Sequence, residues 1–407
     1  MLVSRRGLFS TLQARGSGAL SGTLIAARGR EALVGEASAA HPFEPPIVAP
    51  PEPGVIRLKS NENPLGPGQA ALQALSGQLD QAGRYPFNAR QSSSGLRELI
   101  AKKFHIEPEN VVLGAGSSEI LRNAVRDFTS PQRPLVTADP SFENPVNTAK
   151  LVGTPIRAVP VDRDFRLDLD AMAKAAQGAG LVFLCNPNNP TGTVHSARAV
   201  AAFVSRVQKD SPETAILIDE AYHEYVTARS YRTAVDLAMN LPGVFVSRTF
   251  SKAFGMAGLR VGYAVGQKET IRTLSRHKLN YDVNVLAIAA ATSSFNDAAR
   301  LAKEKVRNTQ ARQATLDYFE SAGYQATDSQ ANFIFVNTGR PATEFREACE
   351  KHKVEVGRDF PPFEKTHSRI SIGTMDEMRQ AVKVFQEVLG PPLTDSGQSG
   401  KSDPGKE

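Results

Sequence analysis

The chain has little cysteine, and that excludes one way of holding a fold. Cys185 and Cys349 are the two cysteines in 407 residues, and they lie far apart in the sequence. A disulfide framework is not expected. No stretch is long and apolar enough to span a membrane. No G-x-x-x-x-G-K-[ST] string occurs, which removes the phosphate loop of nucleotide hydrolases. His223, His277 and His367 lack metal-ligand spacing, so no metal is assigned. The formal net charge is +6, but no basic stripe with interleaved aromatics accompanies it, and no nucleic-acid partner is expected. Half of that charge falls in residues 1–40, where five arginines face two glutamates.

What is present is an ordinary globular composition, 41% hydrophobic and 22% charged, in a chain long enough for two domains. The ends read differently. Ser4-Arg5-Arg6-Gly7-Leu8-Phe9 has the form of a twin-arginine export motif, and Ala37-Ser38-Ala39 that of a cleavage site. Arg15, Arg28, Arg30 and Glu31 interrupt the segment between them, so export to the periplasm and a vestigial arm on a cytoplasmic protein both fit. His41 to Gly54 is proline-rich and reads as an extended linker. The expected organisation is a leader and linker over 1–54, a large domain over 55–290 whose N-terminal segment contributes to small-domain or dimer contacts, a smaller C-terminal domain over 291–389 and a disordered tail over 390–407.

Short apolar runs alternate with helical patterns through the middle of the chain. Val111-Val112-Leu113, Leu181 to Cys185, Ala215 to Asp219, Val244 to Ser247 and Val261 to Val265 read as buried strands. They predict an α/β fold with a mostly parallel sheet covered by helices on both faces. A long helical pattern from Arg300 to Ala322, then Asn332 to Val336 and Arg369 to Ile372, predicts a smaller α+β domain. In open α/β sheets, ligands bind beyond the carboxyl ends of the strands. Asn189, Asp219 and Lys252 each fall at or just past such an end.

The string Ser247-Arg248-Thr249-Phe250-Ser251-Lys252, followed by Arg260, carries the most chemistry. A buried lysine is costly as a charge and usually has a chemical task. Thr249, Ser251 and Arg260 are what a phosphate dianion needs. A lysine forming a Schiff base with a phosphorylated aldehyde, pyridoxal 5′-phosphate, unites these features. Asp219 ends an apolar run and needs a cationic partner, either the protonated pyridine nitrogen or a structural salt bridge. Tyr222 and Asn189 are suited to the cofactor's 3-oxygen, but a core tyrosine and a plain turn are the bland alternatives. Gly116, Ser117 and Ser118 join a strand to a helix, either as an anion cradle or as a simple helix cap. Phe142 is either a ring-stacking residue or core. Arg369 suits a substrate carboxylate or a surface ion pair.

Taken in order, Asn189-Pro190-Thr191-Gly192, Asp219-x-x-Tyr222, Thr249-x-Ser251-Lys252 and Arg260 resemble the fold-type I, pyridoxal phosphate-dependent aminotransferases of class I/II, over about Leu58 to Leu389. Within that family, Ser60-Asn61-Glu62-Asn63-Pro64, Arg84-Tyr85-Pro86 and Ala257-Gly258-Leu259-Arg260 are most similar to the histidinol-phosphate aminotransferases. The resemblance implies that Lys252 forms the internal aldimine and shuttles the proton, and that Asp219 pairs with the pyridinium. It implies that Tyr222 and Asn189 hold the 3-oxygen and that Phe142 stacks on the ring. Gly116, Ser117, Ser118, Thr249, Ser251 and Arg260 would bind the phosphate, with Tyr85 reaching it in the other subunit of a homodimer. Asn63 and Arg369 would lie on the substrate side, with Arg358 facing a distal phosphate. The implied activity is ping-pong transamination between an amino donor, histidinol phosphate or a related amino acid, and 2-oxoglutarate. Another pyridoxal phosphate reaction, or a non-catalytic binding protein on the same scaffold, is the alternative.

Overall fold

The computed structural model describes residues 52–85 and 89–390. The export motif, most of the proline-rich linker and the tail from 391 lie outside the described residues. The strands are β1 (Ile56–Leu58), β2 (Val111–Gly114), β3 (Leu135–Asp139), β4 (Ile156–Pro160), β5 (Leu181–Cys185), β6 (Ala215–Asp219), β7 (Val244–Thr249), β8 (Gly262–Gly266), β9 (Phe333–Asn337), β10 (Val354–Val356) and β11 (His367–Ser371).

Seven strands form one sheet in the order β2-β8-β7-β6-β5-β3-β4. β8 is antiparallel to both of its neighbours, and the pairs from β7 to β4 are parallel. The sequence explains this burial. Parallel strands covered on both faces need apolar side chains at every position rather than at alternate ones. Along β5, β6 and β7 every residue is buried. Alternate residues serve different faces. Val182, Leu184, Ile216, Ile218, Val244 and Val246 pack in one apolar cluster. Leu181, Phe183, Cys185, Ala215, Leu217 and Phe245 pack in another, with helix Ser117–Phe128 supplying Ile120, Leu121, Ala124 and Val125.

A third cluster joins Ile56 and Leu58 to Ile334, Val336, Val354, Val356, Ile370 and Phe385. β1 pairs in parallel with β10, and β11 pairs antiparallel with β9. The N-terminal strand β1 is thus built into the C-terminal core, and the chain after Leu58 then meets the loop that follows β7, where Asn63 Nδ2 donates to the Ala253 carbonyl. The long helix is Ala298–Ser321, starting where the Asp297 side chain caps the amide of Arg300. The last helix, Met375–Leu389, opens with a capping box of Thr374 and Glu377.

Candidate active site

The carboxyl ends of β5, β6 and β7 lie side by side, with Cys185 opposite Asp219 and Asp219 opposite Ser247. This register turns three distant residues into one row. Ser247 Oγ donates to Asp219 Oδ1 at 2.7 Å, and Cys185 Sγ lies 4.0 Å from Asp219 Oδ2. Asp219 is 2% exposed, and among the described residues no lysine, arginine or histidine pairs with it. Burial pushes its pKa up to about 6, against the lowering effect of the Ser247 hydrogen bond. The next residue is spent elsewhere. Glu220 accepts from Arg248 Nη2 at 2.8 Å, from Thr233 Oγ1 and from the Ala234 amide.

Lys252 follows β7 and donates from Nζ to the Ser60 carbonyl at 3.1 Å. Burial, helped by the charges of Arg369 and Arg260 and opposed by those of Glu62 and Asp219, lowers its pKa to about 7. Arg369 outranks Arg260 here, a neighbour that the sequence spacing does not reveal. Near neutrality the amine is therefore partly uncharged and competent as a nucleophile or base.

A second group of residues meets at the start of helix Ser117–Phe128. Gly116 has φ +74°, and a Cβ built there would stand 2.2 Å from Arg260 Nη2. The absence of a side chain lets the guanidinium lie against the backbone at a helix N-terminus. Arg260, itself in the left-handed region at φ 55°, donates from Nη1 to Ser251 Oγ at 3.1 Å. Thr249 Oγ1 donates to the same oxygen at 3.0 Å and accepts from the Ser251 amide.

Arg369, on β11, reaches over from the C-terminal core. Its Nη1 donates to Asn189 Oδ1 at 2.7 Å and its Nη2 to the Lys59 carbonyl at 2.6 Å, while Nε is buried without a partner. Burial lowers its pKa to about 10. Asn189 is held by a wholly buried loop. Asn188 ties that loop to the Phe142 segment, donating to the Pro140 carbonyl and accepting from Ser141 Oγ.

These residues line one cavity of about 510 Å³: Ser117, Ser118, Phe142, Asn189, Asp219, Tyr222, Thr249, Ser251, Lys252, Arg260, Arg358 and Arg369 are all on its wall. Gly116 sits directly behind the wall, against Arg260. Two expected residues fall elsewhere. Asn63 does not line the cavity; its Nδ2 donates to the Ala253 carbonyl at 2.9 Å, and its Oδ1 accepts from the Leu65 amide. Tyr85 is 73% exposed and lies outside the cavity of its own chain, its ring 5.7 Å from that of Tyr281.

Asn61 is a site residue that the sequence reading did not single out. It lines the cavity, is 1% exposed, and donates from Nδ2 to Tyr222 Oη at 3.1 Å. Ser371 Oγ accepts from the Asn61 amide and donates to its side-chain oxygen, both at 2.8 Å. Asn61 adopts φ 54°, a conformation that asparagine tolerates better than most residues. Glu143, Arg346 and Glu350 also join the wall.

The donor set fits pyridoxal 5′-phosphate at three points. A buried carboxylate lacks the cation that a protonated ring nitrogen supplies. A guanidinium, two hydroxyls and a helix N-terminus converge where a phosphate dianion is needed. A lysine of lowered pKa stands on the same wall.

Comparison with known proteins agrees. Residues 53–385 match the family model described as aminotransferase class I and II. A histidinol-phosphate aminotransferase of Moorella thermoacetica is 37% identical over 338 residues, covering 82% of this chain and 86% of that protein. An aromatic amino acid aminotransferase of Nocardia farcinica is 36% identical over 330 residues, covering 80% and 89%. The crystal structure of histidinol-phosphate aminotransferase from Sinorhizobium meliloti in complex with pyridoxal 5′-phosphate superposes with a TM-score of 0.76 at 26% identity, covering 82% of this chain and 90% of that one. The chain belongs to the class I and II aminotransferases and is a pyridoxal 5′-phosphate-dependent aminotransferase.

Proposed function

We propose that this aminotransferase moves an amino group from histidinol phosphate, or a related amino acid, to 2-oxoglutarate by a ping-pong mechanism. The observation that carries the reading is the joint placement of Lys252, Asp219, Arg369 and Arg358 on one cavity wall. The names of the Moorella and Sinorhizobium relatives support the donor. The bound cofactor supplies a carbonyl that condenses with amines and a ring that draws electrons from the substrate Cα. Asp219, as a carboxylate, holds the ring nitrogen in its protonated form. Tyr222 and Asn189 orient the 3-oxygen, and Phe142 packs on the ring. Gly116, Ser117, Ser118, Thr249, Ser251 and Arg260 hold the phosphate.

Lys252 moves the proton. As the neutral amine it takes the proton from the substrate Cα, and as the ammonium it gives a proton back. Arg369 binds the α-carboxylate of glutamate or 2-oxoglutarate with two parallel N–H donors. Histidinol phosphate has no carboxylate, so its anchor is the phosphate, and Arg358, on the cavity wall, is the arginine that binds it in this reading. The donor product leaves before the acceptor enters, because both use the same cavity.

We infer a homodimer with shared sites. Tyr85 and Tyr281 are exposed together, and Leu65, Leu72, Leu79 and Leu279 are exposed apolar residues on neighbouring segments of the chain. In the assembled pair Tyr85 reaches the phosphate of the other subunit. The function is tested by half-reactions. Cofactor-loaded protein is mixed with single amino donors, and the visible absorbance of the lysine-bound cofactor is followed. Histidinol phosphate or glutamate should bleach it, and added 2-oxoglutarate should restore it. Persistence of the band with every amino donor contradicts the proposal.

A further inference from the structure

Arg358 shares the cavity wall with a second arginine, Arg346, and with two carboxylates, Glu143 and Glu350. A site built only for a phosphate would carry an excess of cations there. This one carries both signs. Glu143 follows Phe142 on the segment after β3, and Arg358 follows β10. The two segments come from different cores, and they meet through an ion pair, Arg358 Nη2 to Glu143 Oε1, at 2.6 Å. The second arginine is engaged as well, Arg346 Nη1 donating to Asp359 Oδ1 at 2.6 Å.

Arg358 is held in place by more than charge. Its Nη1 donates to the Asp359 carbonyl at 2.9 Å, and its guanidinium carbon lies 4.3 Å from the Phe360 ring centroid. The guanidinium of Arg369 lies 4.6 Å from the same centroid. One buried ring therefore sets the spacing between the carboxylate-binding arginine and the distal arginine. The two guanidinium groups also feel each other: Arg358 lowers the pKa of Arg369, and Glu143 raises it.

We propose that Glu143 is a specificity-determining residue, a resident carboxylate that occupies the distal anion site by pairing with Arg358. The proposal rests on the substrate reading above. A substrate whose side chain ends in an anion, a phosphate monoester or a carboxylate, takes Arg358 in exchange for Glu143. A substrate with an uncharged end leaves the pair closed and packs against it. Exchange is cheap because the pair is half-exposed, with side-chain exposures of 51% for Arg358 and 40% for Glu143. Pairs of that kind change a binding constant by at most about fivefold. One cavity can then admit a phosphate-bearing donor, a dicarboxylate and an aromatic amino acid, with Glu143 setting the balance among them.

The test compares half-reactions of wild-type, Glu143→Gln, Arg358→Gln and double-variant holoenzyme with histidinol phosphate, glutamate and phenylalanine. Glutamine keeps the shape of Glu143 and removes its charge. Glu143→Gln should lower KM for the two anionic donors relative to phenylalanine by about two- to fivefold. Arg358→Gln should shift the ratio the other way, and adding Glu143→Gln to it should change nothing further. A ratio unmoved by Glu143→Gln, or full additivity in the double variant, overturns the proposal. Should the wild type refuse both anionic donors while Glu143→Gln accepts one, the gate stands and the substrate reading falls. Refusal by both proteins overturns both.

Discussion

Lys252 and Asp219 stand on one wall with pKa values displaced from their ordinary ranges in opposite directions, and both displacements bring the pH dependence of cofactor capture toward neutrality. Burial lowers the lysine to about 7 and raises the aspartate to about 6. The lysine attacks as the neutral amine, so it is competent above its pKa. The aspartate holds a protonated ring as the carboxylate, so it too is competent above its pKa. The rate of cofactor uptake by the apoprotein should therefore rise as pH increases through about 6 and about 7 and then level off. Asp219→Asn should remove the lower step and leave the upper one. Stopped-flow growth of visible absorbance across pH measures this, and a rate that falls over that window contradicts it. At this scale the sequence was informative about chemistry and weak on aim. Asn61 and Asn63 both stand in the string Ser60-Asn61-Glu62-Asn63, and residue type cannot say which one faces the cavity. The answer lies in the backbone: Asn61 turns through φ 54° onto Ser371 and Tyr222, and Asn63 turns away to Ala253.

Among the elements, the turn from β2 into helix Ser117–Phe128 bears most directly on cofactor affinity. Gly116 permits a positive φ and leaves room for Arg260. Gly116 pairs that φ with ψ 167°, a region essentially reserved for glycine, so alanine there costs about 1–3 kcal/mol from the backbone alone, and its methyl group displaces the guanidinium. Gly116→Ala should weaken pyridoxal 5′-phosphate binding by about tenfold or more and weaken pyridoxal, which lacks the phosphate, much less. Equal losses for the two ligands, measured by fluorescence titration, would place the effect outside the phosphate site. The strands were legible to the extent that they were apolar on both faces. β5, β6 and β7 stand out because every position is buried. β3 and β4 escaped notice: Leu135–Asp139 has its apolar run broken by Thr137, and Ile156–Pro160 is an edge strand whose Arg157 and Ala158 are exposed. The antiparallel course of β8 was also hidden, since periodicity gives no strand direction.

At the scale of the molecule, the site depends on bringing the C-terminal core onto the edge of the large sheet. Arg369 and Arg358 come from the region after β10, and Lys59 to Glu62 from the segment after β1. Pairing of β1 with β10, and the hydrogen bond from the Asn61 amide to Ser371 on β11, lock that segment beside the strand that bears Arg369. The sequence pattern announced each piece as a strand end or a loop. It held no information on the hydrogen bonds of Arg369 to Asn189 and Lys59 that join the two cores. The account's central claim is that all of this converges on one amine. Reducing the cofactor-loaded protein with borohydride fixes the cofactor to whichever lysine holds it, and peptide mass spectrometry then locates the label. The account predicts a single pyridoxyl-phosphate adduct on Lys252, absent in Lys252→Ala. An adduct on another lysine, or none, would contradict it.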